Sequence, residues 1–172
     1  MTTTGEPAIR IGQGFDVHPF SGDAGRPLVL GGVSFAGFPG LAGHSDGDVI
    51  AHAVTDALLG AAGLGDIGRL FPDSDPALAG ADSVGLLRRA VAALHDAGWH
   101  PHNVDCTVVL EEPKVAPERA AIEARLSEAV GAPVTVKGKR AEGLGALGRA
   151  EGIACFAVAL VARGAPAAQG ST

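Results

Sequence analysis

Asp16 and His18 stand two residues apart in an extended, apolar stretch. Both side chains therefore leave the same side of the chain while Val17 leaves the other. A carboxylate and an imidazole are zinc-ligand types, and two of them aimed together at a strand end make half of a site. The third ligand must come from another element. His52 lies inside a helical pattern whose apolar face can pack against the strand, so it is the better candidate. His44 precedes that helix on a loop and is better placed to touch a ligand. Asp16, His18 and His52 would form a His2Asp set with one tetrahedral position left open, the pattern of catalytic rather than structural zinc. Asp48, His52 and Asp56 recur at i, i+4 and i+8, one helical stripe, so either acid is placed to orient the imidazole from behind. The plain alternative is a solvated polar stripe and a D-x-H pair that the helix never meets. Spacing alone does not choose between them.

The helix that must carry His52 lies in Gly43–Leu64. Ser45, with Asp48 three residues on, reads as a capping-box variant, and Val49, Ile50, Ala53, Val54, Ala57 and Leu58 form the apolar face. The strand that must carry Asp16 and His18 begins at Ile9, runs toward a turn at Phe15 and is stopped by Pro19. Leu28–Leu30 and Val33–Phe35 flank Gly31-Gly32, a two-residue hairpin signal. Residues 65–75 read as a long functional loop carrying Asp66, Arg69, Asp73 and Asp75. Asp82-Ser83 caps a second helix with Val84, Leu87, Val91 and Leu94 on its buried side, stopped at Gly98. Asn103–Leu110 alternates as a strand, and Pro117 opens a third helix that Gly131 closes after Val130. Val134–Lys137 is a short strand. Ile153–Ala162 is a long apolar one that reads as buried on both faces. The predicted class is α+β: a mixed sheet with three helices packed on one face. The expected division is a flexible N-terminus 1–8, a single domain 9–163 and a disordered tail 164–172.

Composition narrows the function. The chain has 172 residues, 47% hydrophobic and 19% charged, which suits a folded domain with a true core. A net charge of −6 argues against nucleic acid, whose phosphates need a basic surface. It leaves room for a small anionic substrate, which needs only a local donor cluster such as Lys137, Lys139, Arg140 and Arg149; a solvated charged loop is the simpler reading of that cluster. No apolar run has membrane-span length and no signal peptide is visible, so a cytoplasmic location without membrane contact is expected. Cys106 and Cys155 sit in apolar runs and read as buried free thiols. With 26 Gly, no Tyr and one Trp, the core has few large aromatics, which hints at assembly for extra burial. Gly12-Gln-Gly lacks the third glycine of a dinucleotide fingerprint, and no nucleophile elbow appears.

Four blocks carry a family resemblance: GFDVHPF (14–20), GHSDGDVIAHAVTDALLGAAGLGDIG (43–68), LFPDSD (70–75) and GRAEGIAC (148–155). Together they resemble the 2-C-methyl-D-erythritol 2,4-cyclodiphosphate synthase family of the non-mevalonate isoprenoid pathway, in order from about Arg10 to Arg163. The resemblance implies a homotrimer with active sites between neighbouring subunits. It implies metal-dependent cyclisation of 4-diphosphocytidyl-2-C-methyl-D-erythritol 2-phosphate with release of CMP, a phosphorus–oxygen lyase reaction. Asp16, His18 and His52 fall on the family's zinc ligands. Glu142 falls on the acid for a second divalent cation, magnesium or manganese. His44 and Ser45 fall on contacts to the methylerythritol phosphate part. Asp66 and Gly68 match positions that hold its hydroxyls, with Ile67 between them in the site and Phe71, Pro72, Asp73, Ser74 and Asp75 lining the same pocket. Leu110, Glu111, Glu112, Pro113, Lys114, Val115 and Ala116 match the cytidine-binding segment.

The chain departs from the family pattern at several points. Lys139-Arg140-Ala141 replaces a run of three threonines before Glu142. Cations bind phosphate more strongly than hydroxyls do, so Lys139 and Arg140 are expected to take over the phosphate contacts, with Arg149 nearby. Gln13 and Ala146 replace a histidine and a phenylalanine, and Ala150 a glycine. The first two positions fall where the family lines a cavity on the trimer axis. Two rival readings keep part of this pattern: a zinc-dependent phosphohydrolase, in which water attacks, and a non-catalytic trimeric binder of isoprenoid diphosphates, which needs no zinc triad.

Overall fold

The computed structural model describes residues 9–163, so the expected flexible N-terminus and disordered tail lie outside the described residues. Six strands form: Ile9–Pro19 (β1), Pro27–Leu30 (β2), Val33–Pro39 (β3), Trp99–Val109 (β4), Val134–Lys139 (β5) and Gly152–Arg163 (β6). Three long helices, Val49–Ala62 (α1), Ser83–Asp96 (α3) and Arg119–Val130 (α4), are joined by the short helices Ile67–Leu70 (α2) and Gly145–Gly148 (α5). The main sheet has the order β1-β6-β4-β5. Its β1/β6 and β6/β4 pairs are antiparallel and its β4/β5 pair is parallel, which makes it the expected mixed sheet. β2 and β3 form a separate hairpin. Gly31 and Gly32 turn it with φ of 58° and 74°, the left-handed pair that a two-residue turn demands.

α1 lies across β1 and β6, and two glycines make that approach possible. A Cβ on Gly12 would fall 2.0 Å from the Ala57 carbonyl oxygen, and one on Gly14 would fall 2.0 Å from that of Ala53. The Gly-Gln-Gly of β1 is thus a seat for the helix backbone. Val49, Ile50, Ala53, Val54, Ala57 and Leu58 are all buried, as the helical periodicity predicts. α3 packs on α1, and α4 packs on α3 and β5. Gly63 and Gly131 close α1 and α4 in the left-handed conformation.

β6 departs from expectation. Its inner residues Ile153, Cys155, Ala157, Ala159 and Val161 are buried, but Phe156 and Val158 are 46% and 47% exposed. The helices cover one face of the sheet, so an apolar strand keeps its second face open in the single chain. Ile11, Phe15 and Val17 of β1 extend the same uncovered surface. Cys106 and Cys155 are free and buried, as read from the sequence. The neighbouring Cys106, together with burial, raises the Cys155 thiol far above its ordinary pKa. No helix among the described residues is long and apolar enough to cross a membrane.

Candidate metal centre and its cleft

β1 stays extended through Pro19, past the turn expected at Phe15, and this carries Asp16 and His18 to the end of the strand on one side. Their partners across β6 are Cys155 and Ile153. His52, one turn into α1, arrives from the facing helix. His18 Nε2 lies 2.8 Å from Asp16 Oδ2, His52 Nδ1 lies 3.0 Å from the same oxygen, and the two ring nitrogens are 3.2 Å apart. One ligand atom from each residue thus converges on a small triangle. Donors with edges of about 3 Å leave a point about 2 Å from all three, the zinc bond length, and the donor set is one zinc accepts. The residues therefore fit a divalent metal of the zinc type.

The electrostatics suit a cation. Burial pushes the Asp16 carboxyl up, but hydrogen bonds and charge from His18 and His52 outweigh it and hold the group well below the usual carboxylate range. Burial lowers His52, yet Asp16 at hydrogen-bond distance, with Asp48 and Asp46 behind, lifts it above its ordinary value.

The back of His52 is held by Ser45 and Ser83, to which the sequence assigned other roles. Its Nε2 lies 2.9 Å from Ser83 Oγ and 3.0 Å from Ser45 Oγ, which leaves Nδ1 facing the triangle. Ser83, buried at the start of α3, donates its hydroxyl to Asp46 and also gives that carboxylate its backbone N–H at 3.1 Å. The chain Asp46–Ser83–His52 fixes ring orientation in the way that outer hydrogen bonds orient metal-bound histidines. The one sequence signal for it was the helix start at Asp82-Ser83, which gives no sign that the hydroxyl meets a residue thirty-one positions earlier.

The expected helpers, Asp48 and Asp56, do other work. Asp48 rather than Ser45 caps α1, accepting from Ile50 and Ala51 at 3.1 Å each. It also accepts from Gly31 at 2.8 Å and Gly32 at 2.6 Å, so one buried carboxylate ties the hairpin turn to the helix. Burial pushes it up to about 6 despite these donors. Asp56 accepts from the Ile67 amide at 2.7 Å and so anchors α2; burial raises its pKa as well.

The triangle opens into a cleft of about 430 Å3 lined by Asp16, His18, His44, Ser45, His52, Ile67, Gly68, Phe71, Pro72 and Asp73, with Leu78 and Leu86 added to the expected set. His44 Nε2 lies 3.1 Å from the Asp75 carbonyl oxygen. Asp66 caps α2 and Asp75 the turn Pro76–Leu78, so both carboxylates are spent on backbone amides. The Arg89 guanidinium covers the Phe71 ring at 4.6 Å. The segment 65–75 is therefore built around a short helix rather than being a plain loop. Asp66, Ser74 and Asp75 are absent from the cleft wall.

A second, smaller cleft of about 210 Å3 is lined by Leu110, Glu111, Pro113, Lys114, Val115, Ala116, Lys139 and Arg140, with Arg119 and Gly138. Glu112, Ala141, Glu142 and Arg149 are not on its wall. The expected site residues thus fall into two groups on the chain. The basic cluster is not free: Lys137 pairs with Asp105, Arg140 with Glu111 at 2.9 Å and Arg149 with Glu151 at 2.6 Å. Among the described residues Lys139 alone of the four has no acid partner. Glu142 is exposed at φ 53°, a left-handed conformation unusual for a residue with a side chain.

Known proteins share this whole architecture. The sequence model of the YgbB family matches residues 9–162. The chain is 58% identical over 158 residues to the 2-C-methyl-D-erythritol 2,4-cyclodiphosphate synthase of Bordetella petrii, covering 90% of this chain and 96% of that one. A solved structure named IspF (Plasmodium falciparum) CDP complex superimposes with a TM-score of 0.79 at 35% identity, covering 94% of this chain and 100% of that one. The bifunctional IspDF from Campylobacter jejuni superimposes with a TM-score of 0.87 at 39% identity over 92% of this chain; the chain spans 43% of that longer protein.

Proposed function

The chain belongs to the YgbB family, that of the 2-C-methyl-D-erythritol 2,4-cyclodiphosphate synthases, and on that footing we propose the reaction it catalyses. It cyclises 4-diphosphocytidyl-2-C-methyl-D-erythritol 2-phosphate to 2-C-methyl-D-erythritol 2,4-cyclodiphosphate, releasing CMP in the cytoplasm as a step toward isoprenoid precursors. The observation that carries this reading is the Asp16–His18–His52 triangle opening on a cleft walled by His44, Ser45 and residues 67–73.

The chemistry needs no protein nucleophile. The 2-phosphate oxygen forms a bond to the β-phosphorus as the bridge to the α-phosphate breaks and CMP departs. Zinc at Asp16, His18 and His52, and magnesium or manganese at Glu142, would supply Lewis acidity toward the phosphoryl oxygens. The residues supply shape. His44 and Ser45 receive the methylerythritol phosphate part, Ile67, Gly68, Phe71, Pro72 and Asp73 wall the cleft around it, and Asp66 and Asp75 shape that segment as helix caps. Leu110–Ala116, with Lys114, receives the cytidine; the CDP named for the Plasmodium falciparum relative supports a nucleotide ligand here. Lys139 is the cation left free for a phosphate, with Arg149 beside the same loop. Holding two ends of one flexible molecule together is worth up to about 7–11 kcal/mol of barrier.

The working unit is a homotrimer of the domain 9–163, with each active site completed by a neighbouring copy. Two features support it: the expected site residues line separate clefts of one chain, and the open face of the sheet carries Ile11, Phe15, Val17, Phe156 and Val158.

Phosphorus NMR of the protein incubated with the cytidine substrate, zinc and magnesium tests the reaction. The cyclic diphosphate and CMP are expected. Inorganic phosphate would turn the reading to a phosphohydrolase, and unchanged substrate to a binder.

A further inference from the structure

Glu111 falls in the segment expected to cradle cytidine, yet both its carboxylate oxygens face elsewhere. Oε2 accepts from Arg140 Nε at 3.0 Å and Nη2 at 2.9 Å, and Oε1 accepts from the Gly143 amide at 3.2 Å. The Ala141 amide faces it too. The Glu111 side chain is only 11% exposed, and the 57%-exposed Arg140 is its partner ion. One carboxylate therefore grips the chain on both sides of Glu142. Between those two grips Glu142 adopts φ 53° and Gly143 φ 76°. Glycine visits that region freely, but a side-chain-bearing residue leaves it unless its surroundings hold it there. The turn has few other ties: the Leu144 amide donates to the Ala141 carbonyl at 2.9 Å, and Glu142, Gly143 and Leu144 are all exposed.

We propose that Glu111 is a positioning residue that clamps the 140–143 turn and so presents the Glu142 carboxylate to the second divalent cation. The clamp rests on the reading of Glu142 as that cation's ligand. It gives Arg140 a role in place of the phosphate contact expected from the sequence: its guanidinium fixes Glu111 and the start of the turn together. Arg140 stands where the family resemblance puts a threonine, so in this chain the guanidinium supplies one arm of the clamp.

Hydrogen–deuterium exchange of the metal-free full chain reads the clamp directly. Glu111→Ala is expected to speed exchange across residues 139–148, with Glu111→Gln intermediate because its amide oxygen still accepts from Gly143. Manganese titration of the zinc-loaded protein, followed by electron paramagnetic resonance, reads the consequence. Glu111→Ala is expected to weaken manganese binding by about tenfold or more, with zinc content unchanged. Unaltered exchange would overturn the proposal. So would manganese affinity that falls in Glu142→Gln but not in Glu111→Ala, and so would a loss confined to CMP affinity. Manganese affinity indifferent to Glu142→Gln would instead sink the reading of Glu142, and the exchange result would still report on the clamp.

Discussion

Ser83 Oγ lies 2.9 Å from His52 Nε2, on the side of the ring turned away from Asp16. The hydroxyl is itself anchored to Asp46, so the imidazole is aimed by α3 although it is carried by α1. Ser83→Ala is expected to weaken zinc binding by about 10–100-fold, the usual cost of losing an outer hydrogen bond to a ligating histidine. Competition with a chelator of known affinity measures it. Unchanged zinc affinity would assign the aiming to Ser45 alone.

Gly14 sets the distance between the strand and helix that share the metal. A Cβ there would fall 2.0 Å from the Ala53 carbonyl oxygen, backbone that cannot step aside. Gly14→Ala should destabilise the fold by about 1–3 kcal/mol and lower zinc affinity by pushing His52 off the triangle. Gln13→Ala, between the two glycines, should do neither. Urea unfolding with zinc titration checks both variants.

Asp48 predicts a pH dependence. Burial pushes its carboxyl up to about 6, against 3.8 for the ordinary group. Between those values the folded chain holds the proton and the unfolded chain has lost it. Its stabilising contribution is therefore complete below about pH 4 and fades as pH rises through 6, by about 3 kcal/mol in all. The difference in unfolding free energy, wild type minus Asp48→Asn, should shrink by most of that amount from pH 4 to pH 7 at fixed protein concentration. A flat difference would mean that the four amide donors hold the group at its ordinary value.

The local elements were legible because each rests on local chemistry. Gly31-Gly32 marks its hairpin, Asp82 caps its helix, and the spacing of Asp16 and His18 puts both on one side of β1. The partnership of that pair with His52 was readable only through the family resemblance, because spacing left open that the helix never meets the strand end. What was not readable depends on contacts between distant elements. Asp48 looked like a support for His52 four residues on, yet it is consumed by Gly31 and Gly32 of a hairpin far back in the chain. Ser83 looked like an ordinary helix start. Arg140 looked like a free phosphate ligand because the sequence does not show that Glu111 lies beside it. β6 looked doubly buried because apolar residues occupy both of its faces, and a single chain covers only one.

The open face of the sheet predicts an assembly. Val158 is 47% exposed beside Phe156. A charge in a buried apolar contact is costly, so Val158→Asp should dissociate the proposed trimer while leaving each chain folded. Analytical ultracentrifugation with circular dichroism separates the two effects. A wild-type protein that sediments as single chains would remove the basis for shared active sites.

The proposed reaction depends on one metal ion held jointly by β1 and α1. Anomalous diffraction at the zinc absorption edge, from crystals of the protein purified without chelators, tests it most directly. A single strong peak per chain is expected, within bonding distance of Asp16 Oδ2, His18 Nε2 and His52 Nδ1. A peak elsewhere with that triangle empty, or zinc retained at full occupancy in His52→Ala, would contradict it.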